Sequence, residues 1–579
     1  MPTPSIQPDT SFTAAPEHTT AAAVGKRYEH EFAPSGNPDK SAERTSDGHL
    51  ASGQYVRVAR PSGDEVAQPS GDEVARPSGD EPARSVQIDF HHPLEDWLRR
   101  PIFRRLLSWL SRDGKDGLTH LERILASYAN DDARVRDRIR YAPFHWFIDR
   151  MRGGTTPETL RQRLVEQRAA LRGLVIAARS VAEFGLTVPQ RFTAPLFAVW
   201  NFTNRCNLKC KHCYQDSAHA ALADELTLAE KLDLIEQLGR SRLAMIAFSG
   251  GEPTIHPDLL PVLERTKRYG MHVSVATNGT AITPELARRL AEAGARYIEI
   301  SLDSVDPERH DAFRGVPGMW KRAVEGARHV AATPGLRLGI AMCVHQGNFG
   351  EVERMIAFAK GLGATCFAHF NFIPVGRGLQ MVHGDITPAQ REGLLALLNR
   401  TMQEGGIGVI STAPQLGRVC LAGALSETAR MTCSHCGSGS GAKARVVAKY
   451  LGGCGAGRTY VCIEPGGNVT PCVYLPHRVM GNVREAPLVE LYRRSVFWDV
   501  LNDRSHRLHH CEVCAFRAYC GGCRARADAY FGQLHAGDPG CIFNDKHWQG
   551  LVDAGVAVAE HANAAAGDMK LTPTRHGPA

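Results

Sequence analysis

Cysteine carries the first chemical signal in this chain. Three fall close together, Cys206, Cys210 and Cys213 of NRCNLKCKHCY. Thiolates are soft ligands for iron and zinc, and three are one short of the four that close a structural zinc site or a cubane iron–sulfur cluster. A site short of one ligand leaves a metal position open to another molecule. A second set is C-terminal: Cys454, Cys462 and Cys472 in CGAGRTYVCIEPGGNVTPC, Cys511, Cys514, Cys520 and Cys523 in CEVCAFRAYCGGC, then Cys541. As residue types, these thiols in glycine-punctuated clumps suit either two zinc ribbons or iron–sulfur clusters. Of the 16 cysteines, Cys343, Cys366, Cys420, Cys433 and Cys436 remain. Cys343 and Cys366 stand in apolar runs, as buried thiols do. Cys433 and Cys436 form a lone CxxC that reads as a surface pair, with a redox pair or cluster ligands as the alternatives.

Between the two sets lie short motifs rich in glycine and small polar groups: SGGEPT at 249–254, ATNG at 276–279, ISLDS at 300–304 and HDAFRG at 310–315. Gly250 and Gly251 permit a close backbone approach that a side chain would block. Glu252 offers a carboxylate, which is seldom buried without a partner. Thr277, Asn278 and Ser301 place short polar groups after apolar runs, and Asp303 and Arg314 either meet a ligand or pair with each other.

The elements that must hold these residues are legible in the periodicity. Strand-like runs at 196–200, 245–248, 272–276, 297–302 and 337–342 alternate with helical stretches at 228–238, 259–268, 284–293, 319–331 and 349–362. Alternation at this spacing predicts βαβ units and a parallel sheet, an α/β fold. The motifs then sit at the carboxyl ends of strands, where such sheets bind ligands. Residues 86–190 read as a helical accessory region: Leu94, Trp97, Leu98, Ile102, Leu106, Trp109 and Leu110 recur at helical spacing among arginines. Residues 1–85 form a tail that the composition predicts to be disordered, with an octapeptide repeated as RPSGDEVA, QPSGDEVA and RPSGDEPA, too short and polar to stack. Residues 195–405 are expected to be the α/β core, 406–548 a metal-organised domain, and 549–579 a helix with a second tail.

The set CxxxCxxC, SGGEPT, ATNG and ISLDS resembles the radical S-adenosylmethionine (SAM) superfamily over about residues 195–378. That resemblance implies a partial (β/α)6, TIM-like barrel in which Cys206, Cys210 and Cys213 hold a 4Fe–4S cluster. S-adenosylmethionine would chelate the fourth iron, and an electron from the cluster would release a 5′-deoxyadenosyl radical that takes hydrogen from a substrate C–H bond. It also implies S-adenosylmethionine contacts for Gly250, Gly251, Glu252, Thr277, Asn278, Ser301, Asp303 and Arg314, with His212 packed near the adenine. The C-terminal pattern resembles the SPASM extension, which carries auxiliary iron–sulfur clusters. It departs from that pattern in the two-residue gap between Cys520 and Cys523. The resemblance suggests Cys454, Cys462, Cys472 and Cys523 for one cluster and Cys511, Cys514, Cys520 and Cys541 for the other.

The run through NFIPVGRG (371–378) looks most like the branch of heme and heme d1 biosynthesis enzymes, alongside pyrroloquinoline quinone and mycofactocin maturases. A tetrapyrrole-like small molecule or a peptide is therefore the expected substrate, with flavodoxin or ferredoxin as reductant. A non-catalytic electron carrier or scaffold is the alternative; the intact SGGEP and ATNG argue against it, because a carrier needs no S-adenosylmethionine pocket. Composition bounds the rest. A formal net charge of +7, 43% hydrophobic and 22% charged residues fit a globular protein and make no demand for nucleic acid. The opening residues lack an apolar signal-peptide core and no run of apolar residues suits a membrane span, so a cytoplasmic enzyme is expected. No GxxxxGK[ST] loop is present to drive a nucleotide-dependent step.

Overall fold

The computed structural model describes residues 93–129, 135–151, 156–160, 168–422, 430–433 and 437–559. The octapeptide repeats, Cys436 and the last twenty residues lie outside the described residues.

Seven strands run parallel in chain order: β1 (Phe197–Asn201), β2 (Met245–Ser249), β3 (His272–Thr277), β4 (Ala295–Ser301), β5 (Arg337–Val344), β6 (Cys366–Asn371) and β7 (Gly408–Ser411). Each alternates its side chains between helices and lumen. In β4, Ile298 and Ile300 are fully buried under helices, while Tyr297, Glu299 and Ser301 line the inner face. The covering helices start where the sequence supplies caps: the Thr227 hydroxyl accepts from the Glu230 N–H ahead of 228–240, and Thr283 does the same for Leu286 ahead of 284–293.

The sheet does not stop at the core. After a small hairpin, β8 (Arg430–Cys433) with β9 (Gly437–Ser440), comes β10 (Tyr460–Ile463), which pairs parallel to β1 with Cys462 opposite Val199. Strands β11 (Asn468–Thr470) and β12 (Gly481–Asn482) continue antiparallel from it. The cysteine-rich C-terminal domain thus extends the barrel sheet on its β1 side.

The N-terminal helices dock at the opposite end from the motifs. The stretch expected from the leucine and tryptophan pattern breaks at Arg100, because Pro101 cannot continue a helix, and gives helices Pro93–Arg99 and Pro101–Leu110. The break leaves Ile102 71% exposed. From helix Arg168–Phe184, the buried Arg172 donates to the carbonyls of Leu243 (2.8 Å), Gly239 (2.8 Å) and Tyr269 (2.9 Å). Two of those carbonyls end helices, where a cation is favoured. Arg242 reaches back to Glu122 at 2.5 Å and Asp113 at 2.7 Å. All these anchors precede β2 or β3, so this region braces the amino ends of the strands.

Candidate active site and cysteine domain

The loop after β1 carries Cys206, Cys210 and Cys213, and its own backbone points at their sulfurs. The Leu208 N–H donates to Cys206 Sγ and the Ser217 N–H to Cys213 Sγ, both at 3.4 Å. Arg314 Nη1 donates to Cys210 Sγ at 3.7 Å. Burial pushes the Cys206 thiol up to about 12 and raises Cys210, so thiolates persist here only beside compensating positive charge. Sulfurs that already accept N–H bonds, in a loop that disfavours bare anions, suit an iron cluster.

The remaining motifs converge on that loop. Gly250 has φ +111°, and a Cβ there would lie 2.8 Å from the Thr203 carbonyl; one on Gly251 would run into the Arg205 carbonyl. The close approach these glycines permit is to the cysteine loop's own backbone. Glu252 is fully buried and accepts from Thr277 Oγ1 (2.7 Å), the Asn278 N–H (2.7 Å), the Thr254 N–H (3.0 Å) and the Thr254 hydroxyl. Burial raises its pKa against those four donors. Asn278 Nδ2 donates to Asn207 Oδ1 at 2.8 Å, tying ATNG to the residue after Cys206.

Asp303 and Arg314 pair with each other, Nε to Oδ2 at 2.7 Å, and the other Asp303 oxygen accepts the Cys343 N–H at 2.9 Å. Burial alone would raise the Asp303 pKa, but the Arg314 charge holds it down at about 2. Ser301 stands half-buried at the end of β4, on the lumen face. His212 stacks on Phe313 with ring centroids 4.4 Å apart, and Phe313 stacks in turn on His345 at 4.4 Å. Among the described residues, buried His212 Nδ1 has no hydrogen-bond partner, the mark of a site that expects a polar ligand. Cys366 is buried, whereas Cys343 is half-buried because it faces the lumen beside Asp303.

Sequence reasoning missed Arg377. Its Nε donates to the Cys210 carbonyl (2.9 Å), and its Nη1 to the Ser217 carbonyl (2.7 Å) and Asp216 (2.8 Å). Gly376 before it, at φ +57°, packs so closely that a Cβ would lie 2.5 Å from the Cys213 carbonyl. The available signal was the VGRG run, whose arginine follows a glycine that the turn requires.

In the C-terminal domain, Cys454, Cys472 and Cys523 share one apolar cluster, and the Tyr460 hydroxyl donates to Cys472 Sγ at 2.6 Å. Cys462 is fully buried next to them, its thiol 3.4 Å from Glu464 Oε1. Cys520 is pushed up by burial and then by the neighbouring Cys541 and Cys511, and Cys514 by burial and Cys511. Cys511 is thus a neighbour of both Cys520 and Cys514, and Cys541 of Cys520. The Cys454 N–H donates to the Cys520 carbonyl at 3.1 Å, which ties the two cysteine-bearing segments together. A polar relay joins them to the core: Tyr214 donates to Asn201 (2.9 Å), and Asn201 to Glu464 (3.0 Å).

Comparison with known proteins agrees with this geometry. The radical SAM superfamily model matches residues 200–359, and that of SPASM, an iron–sulfur cluster-binding domain, matches 454–515. The AdoMet-dependent heme synthase of Methanosarcina barkeri is 31% identical over 351 residues, 60% of this chain and 97% of that protein. The chain belongs to the radical SAM superfamily. The PqqA peptide cyclase of Streptomyces rochei is 29% identical over 376 residues, 63% of this chain and 93% of that protein. The crystal structure of Streptococcus suis SuiB bound to S-adenosylmethionine shares the fold, with a TM-score of 0.52 at 15% identity over 73% of this chain and 93% of that one.

As a radical SAM enzyme with a SPASM domain, this protein uses a 4Fe–4S cluster, S-adenosylmethionine and auxiliary iron–sulfur clusters. Among the described residues no helix is long and apolar enough to cross a membrane.

Proposed function

We propose that this enzyme abstracts hydrogen from a C–H bond of a tetrapyrrole-like small molecule in cofactor biosynthesis. The observation that carries the substrate class is the similarity to the heme synthase over 97% of that protein's length. Bound at Cys206, Cys210 and Cys213, the cluster with S-adenosylmethionine supplies the electron and the radical source. The chain does the positioning. Arg377 and the Asp303–Arg314 pair fix the cysteine loop from two sides. Glu252 gathers Thr254, Thr277 and Asn278 into one rigid wall, Gly250 and Gly251 set that wall against the cysteine loop, and Ser301 stands on the lumen face where S-adenosylmethionine would lie. The C-terminal cysteines hold two auxiliary clusters, Cys454, Cys462, Cys472 and Cys523 for one and Cys511, Cys514, Cys520 and Cys541 for the other, and these accept the electron left on the substrate or bind it. A flavodoxin or ferredoxin in the cytoplasm is the reductant.

Peptide modification is the second reading, favoured by the similarity to the PqqA peptide cyclase. The decisive experiment offers the reduced, reconstituted enzyme deuterated iron-porphyrins bearing propionate side chains, and separately peptides. Deuterium in the 5′-deoxyadenosine from the porphyrin supports the first reading, and from a peptide the second. Absence of 5′-deoxyadenosine under all conditions would favour an electron carrier.

A further inference from the structure

Buried arginines in this protein are of two kinds, those paired with acids and those, like Arg172, held by backbone carbonyls. Arg314 pairs with Asp303, and both Arg391 and Arg526 pair with Asp385. Arg504, Arg507 and Arg524 are equally enclosed, at 5%, 2% and 1% exposure, yet among the described residues none has a carboxylate within ion-pair distance. Their partners are backbone carbonyls. Arg504 donates to Gly452 (2.8 Å), Arg517 (2.9 Å) and Ala518 (2.5 Å); Arg507 to Val500 (2.7 Å) and Leu501 (3.1 Å); Arg524 to Leu534 (2.7 Å) and Ala536 (2.8 Å). Carbonyl dipoles solvate a guanidinium but do not neutralise it, and an uncompensated buried charge is strongly unfavourable.

What surrounds the three is cysteine. Arg504 is wedged between Gly453, which precedes Cys454, and Gly521, which follows Cys520: a Cβ on either glycine would come within 2.8 Å of its guanidinium nitrogens. Arg524 Nη2 crowds the same face of Gly522 as Asp538 Cβ and Cys511 Sγ, which lie 3.1 and 3.5 Å from where a Cβ would stand. Arg507 has Arg524, Cys454, Cys511 and Asp503 as its electrostatic neighbours. Two guanidinium nitrogens here, Arg507 Nε and Arg524 Nη2, are buried with no hydrogen-bond partner among the described residues. Guanidinium charge with no acid in ion-pair contact thus lies among the cysteines of this domain, with Asp503 and Asp538 as the neighbouring acids.

We propose that Arg504, Arg507 and Arg524 form a cationic shell that compensates the negative charge of the auxiliary iron–sulfur site and raises its reduction potential. This rests on the auxiliary ligand assignment made above. Four thiolates outweigh the charge of a cubane core, and one-electron reduction adds a further negative charge, so fixed cations nearby favour the reduced form. The shell poises the site to take an electron rather than give one.

The test uses the full chain with Cys206, Cys210 and Cys213 changed to Ala, so that only auxiliary iron remains. In this background Arg507 and Arg524 are changed singly to Gln and to Lys, and iron content and the EPR-monitored midpoint under dithionite titration are measured. The Gln variants should shift the reduction equilibrium about tenfold toward the oxidised form, about 59 mV for one electron, and the Lys variants should stay near the parent. Loss of iron in Gln but not in Lys variants supports the same conclusion, since the charge is then needed to hold the cluster. Gln variants that keep both iron and midpoint overturn the proposal. So do Lys variants that fail as the Gln variants do, for then the arginines only clamp carbonyls. A parent chain without auxiliary iron overturns the ligand assignment instead, and is read before any variant is made.

Discussion

The guanidinium of Arg314 joins the acid Asp303, 2.7 Å from its Nε, to the sulfur of Cys210, 3.7 Å from its Nη1. Asp303 is fixed in turn by the Cys343 N–H at 2.9 Å. The segment just after β4, the end of β5 and the cysteine loop are thereby held as one rigid unit. Changing Asp303 to Asn leaves Arg314 buried without its counter-charge. Breaking such a pair costs about 3–5 kcal/mol, so the denaturation midpoint should fall with the slope unchanged. A loss below about 1 kcal/mol in urea titration would mean that the pair contributes little.

Changing Cys206, Cys210 and Cys213 together to Ala should abolish S-adenosylmethionine cleavage and leave about eight irons per chain, the content of two cubane clusters. The two cysteine sets are anchored independently, one after β1 and the other between residues 454 and 541. Iron analysis checks this directly. Complete loss of iron would mean that the sites assemble together.

Changing Cys511 and Cys514 to Ala should remove one auxiliary cluster and loosen the C-terminal domain, because thiolate ligation supplies folding energy there. The cysteine loop keeps its Arg377 and Arg314 clamps, so cleavage of S-adenosylmethionine should persist. Coupling should fail, with 5′-deoxyadenosine formed in excess of modified product. A wild-type ratio would leave that cluster a structural role only.

Asp528 gives the acid side of the pH profile. Burial raises its pKa, but hydrogen bonds from His477 and Arg478, each 2.7 Å away, outweigh that and hold it below 3.8. A lowered acid contributes stability that is complete above about pH 4 and is lost as pH falls through its folded value. Wild type should therefore lose thermal stability below pH 4 more steeply than Asp528→Asn, which is less stable at neutral pH. Parallel melting curves from pH 5 to pH 3 would show that another group dominates.

Much of the site was legible because its signals are local. Metal ligation needs particular atoms at short spacing on a single loop, so CxxxCxxC declares itself, as do glycines where two backbones touch. The strand–helix alternation is equally local, since each apolar stripe has its own period. These features determined the parallel sheet, the cysteine loop after its first strand, the separate C-terminal set and the family they resemble.

Tertiary structure alone decided the relations between distant segments. Arg377 lies 167 positions beyond the Cys210 carbonyl it holds. Strand β10 joins β1 although about 260 residues separate them, and Arg172 anchors a helical region whose place no pattern announced. That Asp303 and Arg314 pair with each other, at 2.7 Å, could not be read from HDAFRG. Contacts of this kind leave no periodicity behind. An arginine that donates to backbone carbonyls asks nothing of its partners' side chains, so neither end of the contact marks the sequence.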